Sequence, residues 1–92
     1  MQSAQLIISG NPKSETVSNL NTVTVHTSAG VFRVPLTKTY NVITSVNVML
    51  LSVGAGWSAV VMDKNPTGPL INVYNGSNVL SDCMVDVAIT GL

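Results

Sequence analysis

The chain has 92 residues, which suits one domain with a single core. Only 9% of them are charged and the formal net charge is zero. No basic excess exists to draw nucleic acid or an anionic membrane, and near-zero charge favours association, so the chain is expected to live inside an assembly.

The opening MQSAQLIISG has neither the basic start nor the apolar run of a signal peptide. Residues 4–9 (AQLIIS) read as a first strand stopped by Gly10-Asn11-Pro12, and residues 1–11 as an extended arm or edge strand. Residues 18–27 (SNLNTVTVHT) read as one strand, with Val23 and Val25 on one face and Thr22, Thr24 and His26 on the other. Ser28-Ala29-Gly30 is a turn, so residues 31–36 (VFRVPL) should return as its hairpin partner. Residues 41–53 alternate, with Val46, Val48 and Leu50 on one face and Asn47, Met49 and Leu51 opposite. Residues 57–63 (WSAVVMD) are apolar on both faces, which predicts a central strand or one at an interface. Lys64 to Pro69 is a turn on three dipeptides, and residues 70–75 (LINVYN) should pair antiparallel with the strand before it. Residues 84–90 close the chain, with Val85, Val87 and Ile89 facing one way and Asp86 and Thr90 the other.

No segment has the helical period. The pattern predicts one all-β domain over residues 1–92: a small antiparallel β-sandwich or jelly-roll-like barrel of seven or eight strands. Residues 39–62 carry no charge, but Asn, Ser, Thr and Gly interrupt them too often for a spanning helix. The uncharged VNVMLLSV stretch is an aggregation hazard as a bare edge, and a partner chain would cover it.

Chemistry-bearing residues are sparse. GAGWSA (residues 54–59) matches a dinucleotide-binding pattern, but β-formers follow it where a helix is required, so a hairpin loop is expected. His26, Ser28 and Asp86 supply the residue types of a nucleophilic triad without a nucleophile elbow, and His26 reads as a solvated strand residue. Asp82 and Asp86 are the only acids close in sequence, and no metal or cofactor is expected. The lone Cys83 has no intramolecular disulfide partner. Trp57, Tyr40 and Tyr74 read as packing residues first. An enzyme is not expected.

The back half, SVNVMLLSVGAGWSAVVMDKNPTGPLINVYNGSNVLSDCMVDVAITGL, resembles the compact β-domains of tailed-bacteriophage virion proteins, particularly the C-terminal domains of tail fibres. The likeness lies in a long Val-rich strand, an aromatic-containing strand, and a Thr67-Gly68 turn into Leu70, Ile71 and Val73. It extends to a Val85-Asp86-Val87-Ala88-Ile89 ending before Gly91. The sequence departs from that pattern at Pro69, where an aromatic residue is common, and at Thr90 before the glycine.

With Met1 at its start and no fibrous stem ahead, the domain is expected to be the whole protein, which resembles a capsid decoration (cement) protein or a small head-fibre or collar component. The resemblance implies a homotrimer on the virion surface, made in the host cytoplasm and bridging copies of the major capsid protein. Val46, Val48, Leu50, Trp57, Val61 and Tyr74 are the expected interface residues. The alternative is a receptor-binding module of tail-fibre or collar type that recognises a host surface glycan through Trp57 or Tyr74.

Overall fold

Strict alternation along MVDVAIT puts Val85, Val87 and Ile89 on one side of a strand. The computed structural model, which describes residues 12–92, buries all three completely. The elements are β1 (Lys13–Asn21), a 3-10 turn (Thr22–Thr24), β2 (His26–Ser28), β3 (Val31–Arg33), β4 (Ile43–Leu51), β5 (Ser58–Asp63), β6 (Leu70–Tyr74) and β7 (Met84–Gly91). The predicted strand over residues 4–9 and the arm over residues 1–11 lie outside the described residues.

Every strand pair is antiparallel, in a three-stranded sheet of order β1-β7-β4 and a four-stranded sheet of order β2-β3-β6-β5. The consecutive strands β6 and β7 form a ribbon that passes from one sheet to the other. β3 and β1 flank it on one side, β5 and β4 on the other. A long ribbon folded across two layers is a jelly-roll-like β-sandwich. Its core joins Val85, Val87 and Ile89 of one sheet to Phe32, Ile71 and Val73 of the other, with Val34, Tyr40 and Ile43 at the margin.

Asn21 and Leu51 both pair with Met84, and Ser58 pairs with Tyr74. Three of the four passages between sheets, residues 22–25, 52–57 and 75–83, therefore gather at one end. The hairpin turn at residues 64–69 and the fourth passage, residues 34–42, gather at the other.

Three local expectations change. Residues 18–27 are not one strand. The chain turns at Thr22 to change sheets, so the predicted faces do not persist: Thr22 is fully buried and Val23 is 55% exposed, while Val25 packs against the core and Thr24 is exposed. Residues 57–63 form an edge strand, not a central one: Ala59 and Val61 face the core, and Val60 and Met62 face outward. Residues 54–57 lie in a passage between sheets and not in a hairpin loop, because β4 and β5 belong to different sheets, and Ser58 and Ala59 open β5. The β2–β3 and β5–β6 hairpins form as the sequence predicts.

Truncating Ile89 to Ala removes apolar volume from the centre of this core and is expected to cost about 2–5 kcal/mol in denaturant unfolding. Val60→Ala, on an exposed edge position, is expected to stay within about 0.5 kcal/mol of the parent. Equal midpoints for the two variants would refute the inward placement of Ile89.

Candidate functional site

One polar cluster sits where two passages between sheets meet. The Asp82 carboxylate accepts from the Thr22 hydroxyl at 2.8 Å, the Gly30 amide at 3.0 Å and His26 Nδ1 at 2.9 Å. Thr22 continues the β1–β7 ladder around the corner: its amide donates to the Cys83 carbonyl, and the Cys83 amide donates to its hydroxyl, both at 3.1 Å. Burial alone would raise the Asp82 pKa, but the donors from Gly30, Thr22 and His26 outweigh it and hold the carboxyl below its ordinary value. Burial pushes the neighbouring Cys83 thiol up, and the Asp82 charge adds to the shift.

Gly30 is required at this corner. Its φ is +74°, and a Cβ there would lie 2.5 Å from the Ser81 amide nitrogen.

This placement changes the reading of His26. It is a half-buried partner of Asp82, not a solvated strand residue, and its acid is Asp82 and not Asp86. Asp86 lies on the outer side of β7, where it accepts from the Asn19 amide at 2.8 Å. Asn19 is the bulged residue of β1, with φ +53°, so Asp86 satisfies a backbone donor that the bulge removes from the ladder. Among the described residues no three His, Cys, Asp or Glu side chains gather in a metal-binding arrangement. His26 Nε2 makes no hydrogen bond to a hydroxyl or thiol among them. The Asp82 cluster thus joins backbone segments and presents no activated nucleophile.

A second carboxylate acts at the opposite end. Glu15 of β1 accepts from the Thr37 amide (3.0 Å) and hydroxyl (2.8 Å), the Lys38 amide (3.1 Å) and the Tyr40 hydroxyl (3.0 Å). Here too burial would raise the pKa, and the donors bring it below the ordinary value. Lys38 Nζ returns to the Ser14 carbonyl at 2.7 Å, so the loop at 37–40 lies along the outer edge of β1.

The expected interface residues face mostly inward. Val46, Val48, Leu50, Trp57 and Val61 pack against the core. Tyr74 lies on the outer side of β6, where its hydroxyl accepts from Asn72 Nδ2 at 3.4 Å. Three exposed apolar side chains are their neighbours: Met49 (63%), Met62 (53%) and Val60 (46%). In β5 the sequence marks both rows as apolar, and the number of apolar residues alone did not say which row the core would take. An open cleft of about 310 Å³ lies on the outer side of the three-stranded sheet, between Thr16, Asn47, Met49, Asp86 and Ala88. No helix among the described residues is long and apolar enough to cross a membrane.

No family model matches the chain, and neither a curated protein nor a solved structure does so.

The depressed carboxyl pKa values of Glu15 and Asp82 contribute a pH dependence. The unfolded chain binds more protons than the folded one in the acid range, so this stabilisation is complete above the ordinary carboxyl pKa values. It is lost as pH falls through the folded ones. Urea midpoints are expected to decline on acidification below about pH 5. Asp82→Asn should be less stable than the parent at neutral pH and should decline less steeply. Parallel pH profiles would show that Asp82 does not carry the linkage.

Proposed function

We propose that the chain is a non-enzymatic structural virion protein, a capsid decoration protein that binds the outer shell and stabilises it. The resemblance of its back half to phage virion β-domains supports this reading. So does the scarcity of charge, which suits a protein held in an assembly.

The observation that carries the reading is the outer face of the four-stranded sheet. Val60 and Met62 of β5 stand exposed there, beside Leu70 and Tyr74 of β6 and Val31 of β3. Apolar side chains grouped on a sheet face mark a contact surface more often than a free one. The core is already complete without them, formed by the opposite rows of the same strands. In this reading the face meets the major capsid protein, and the turn at residues 64–69 is displayed at the end of the domain.

The test is the number of copies retained on purified capsids of the parent virus. Val60→Asp and Met62→Asp place a charge on the face without entering the core. Each is expected to lower occupancy at least about tenfold, equivalent to about 1.4 kcal/mol. Thr67→Ser in the turn should bind as the parent does. Equal occupancy for all three, with folding intact by circular dichroism, would overturn the reading. Val61→Asp is unsuitable because Val61 packs against the core and the change would test folding.

A further inference from the structure

Each sheet has two edges, and the four are treated differently. The β1 edge carries Lys13 and Glu15, is overlaid by the loop at 37–40 through Lys38, and is broken by the bulge at Asn19. β2 has three residues. β5 has six, with its register broken after Val61 and a charge at Asp63. Charges, bulges, short length and covering loops are the usual ways of blocking an edge.

β4 has none of these along most of its length. It runs nine residues, ITSVNVMLL, with no charge. Its register with β7 is irregular only between Ile43 and Ser45, and among the described residues the only cation reaching it is Lys64, whose Nζ meets the Thr44 carbonyl at 3.5 Å. Beyond its far end Ser52 takes φ +56° and turns the chain away. Among the described residues, 45–51 are therefore a regular, neutral edge with no strand paired to its outer side.

We infer that this edge pairs antiparallel with the same edge of a second copy, about a two-fold axis at Val48. The centre follows from the strand itself, because Val48 is the midpoint of residues 45–51. Residues directly opposite in an antiparallel pair share a face. An axis on a residue therefore sets the inward row against itself: Val46 opposite Leu50 of the partner copy, Val48 opposite its own counterpart. An axis between residues would set apolar side chains against polar ones. The outer row then places Asn47 opposite Met49 of the partner copy, with no like charges to repel. The two three-stranded sheets become one six-stranded sheet, and the open backbone groups of β4 are paired.

A second copy is favoured over a foreign strand because the edge is complementary to itself in both length and row chemistry. The pairing is independent of the capsid-binding face on β5 and β6. It is two-fold, in place of the three-fold assembly that the resemblance implies.

The experiment is sedimentation equilibrium at micromolar concentrations on three forms of the chain. The parent should be a dimer. Asn47→Lys/Met49→Lys sets two lysine pairs across the axis and should weaken the dimer at least about fivefold. Asn47→Glu/Met49→Lys sets two opposite-charge pairs there and should return association to within about twofold of the parent. Both positions are exposed, and thermal unfolding followed by circular dichroism checks that each variant folds. As a register test in a Cys83→Ser background, Asn47→Cys mixed with Met49→Cys should form the mixed disulfide faster than either forms its own. A parent that is monomeric or trimeric, equal behaviour of the two charged forms, or no preference for the mixed disulfide would overturn the pairing. So would a monomeric parent whose capsid retention alone is lost in the lysine form, which would assign the edge to a strand of the shell.

Discussion

The Asp82 carboxylate is the constraint on which the corner of the sandwich depends. The ribbon of β6 and β7 changes sheets through residues 75–83, and the chain from β1 changes sheets through residues 22–25. Two backbones that leave their ladders side by side expose donors that no strand can satisfy. Asp82 takes the Gly30 amide, the Thr22 hydroxyl and the His26 ring at one point. Around it the Val73 amide donates to the Gly30 carbonyl and the Ser81 amide to the Val73 carbonyl. The β2–β3 turn is thereby held beneath the ribbon, close enough that only glycine fits at position 30.

The same use of charge recurs throughout the molecule. All four acidic side chains accept from backbone amides: Glu15 from Thr37 and Lys38, Asp63 from Asn65 and Leu70, Asp82 from Gly30, and Asp86 from Asn19. All four cationic side chains donate to backbone carbonyls: Lys13 to Thr39, Arg33 to Gly68, Lys38 to Ser14 and Lys64 to Thr44. The eight charges in the chain therefore tie loops and bulges to strands. Their placement shows that each has a structural partner.

Local periodicity was legible wherever one face meets the core. β7 alternates cleanly in the sequence and β4 in part, and the Asn-Pro, Thr-Gly and Gly-Pro signals located the β5–β6 hairpin because those residues act through their own backbones. The passage at Thr22 was not legible. Its burial depends on Asp82, 60 residues away, and a polar residue drawn inward by a distant partner has no mark in local pattern. The early part of β1 was missed for a related reason. Lys13, Ser14, Glu15 and Thr16 look like a loop, yet their polarity serves the loop at 37–40 that lies against them. The spacing of His26, Asp82 and Asp86 also left open which acid the imidazole meets. The winding of the ribbon decides that, by bringing residue 82 and not residue 86 to the corner.

Alternation in an edge strand says which residues share a face, but not which face turns to the core. In β5 both rows are apolar, so the sequence admits a central strand. The winding instead places β5 at an edge, with Val60 and Met62 outward. The consequence for function runs through the edges. A sandwich of two small sheets has four edge strands, and this chain has eight charges with which to guard them, each already bound to a loop or bulge. Lys13, Glu15 and Lys38 guard β1 as a by-product of fixing the loop at 37–40, and Asp63 closes β5 as a by-product of shaping its turn. No loop needs fixing beside residues 45–51, so no charge stands there. The open edge of β4 is thus the counterpart of a neutral composition whose few charges all hold backbone in place.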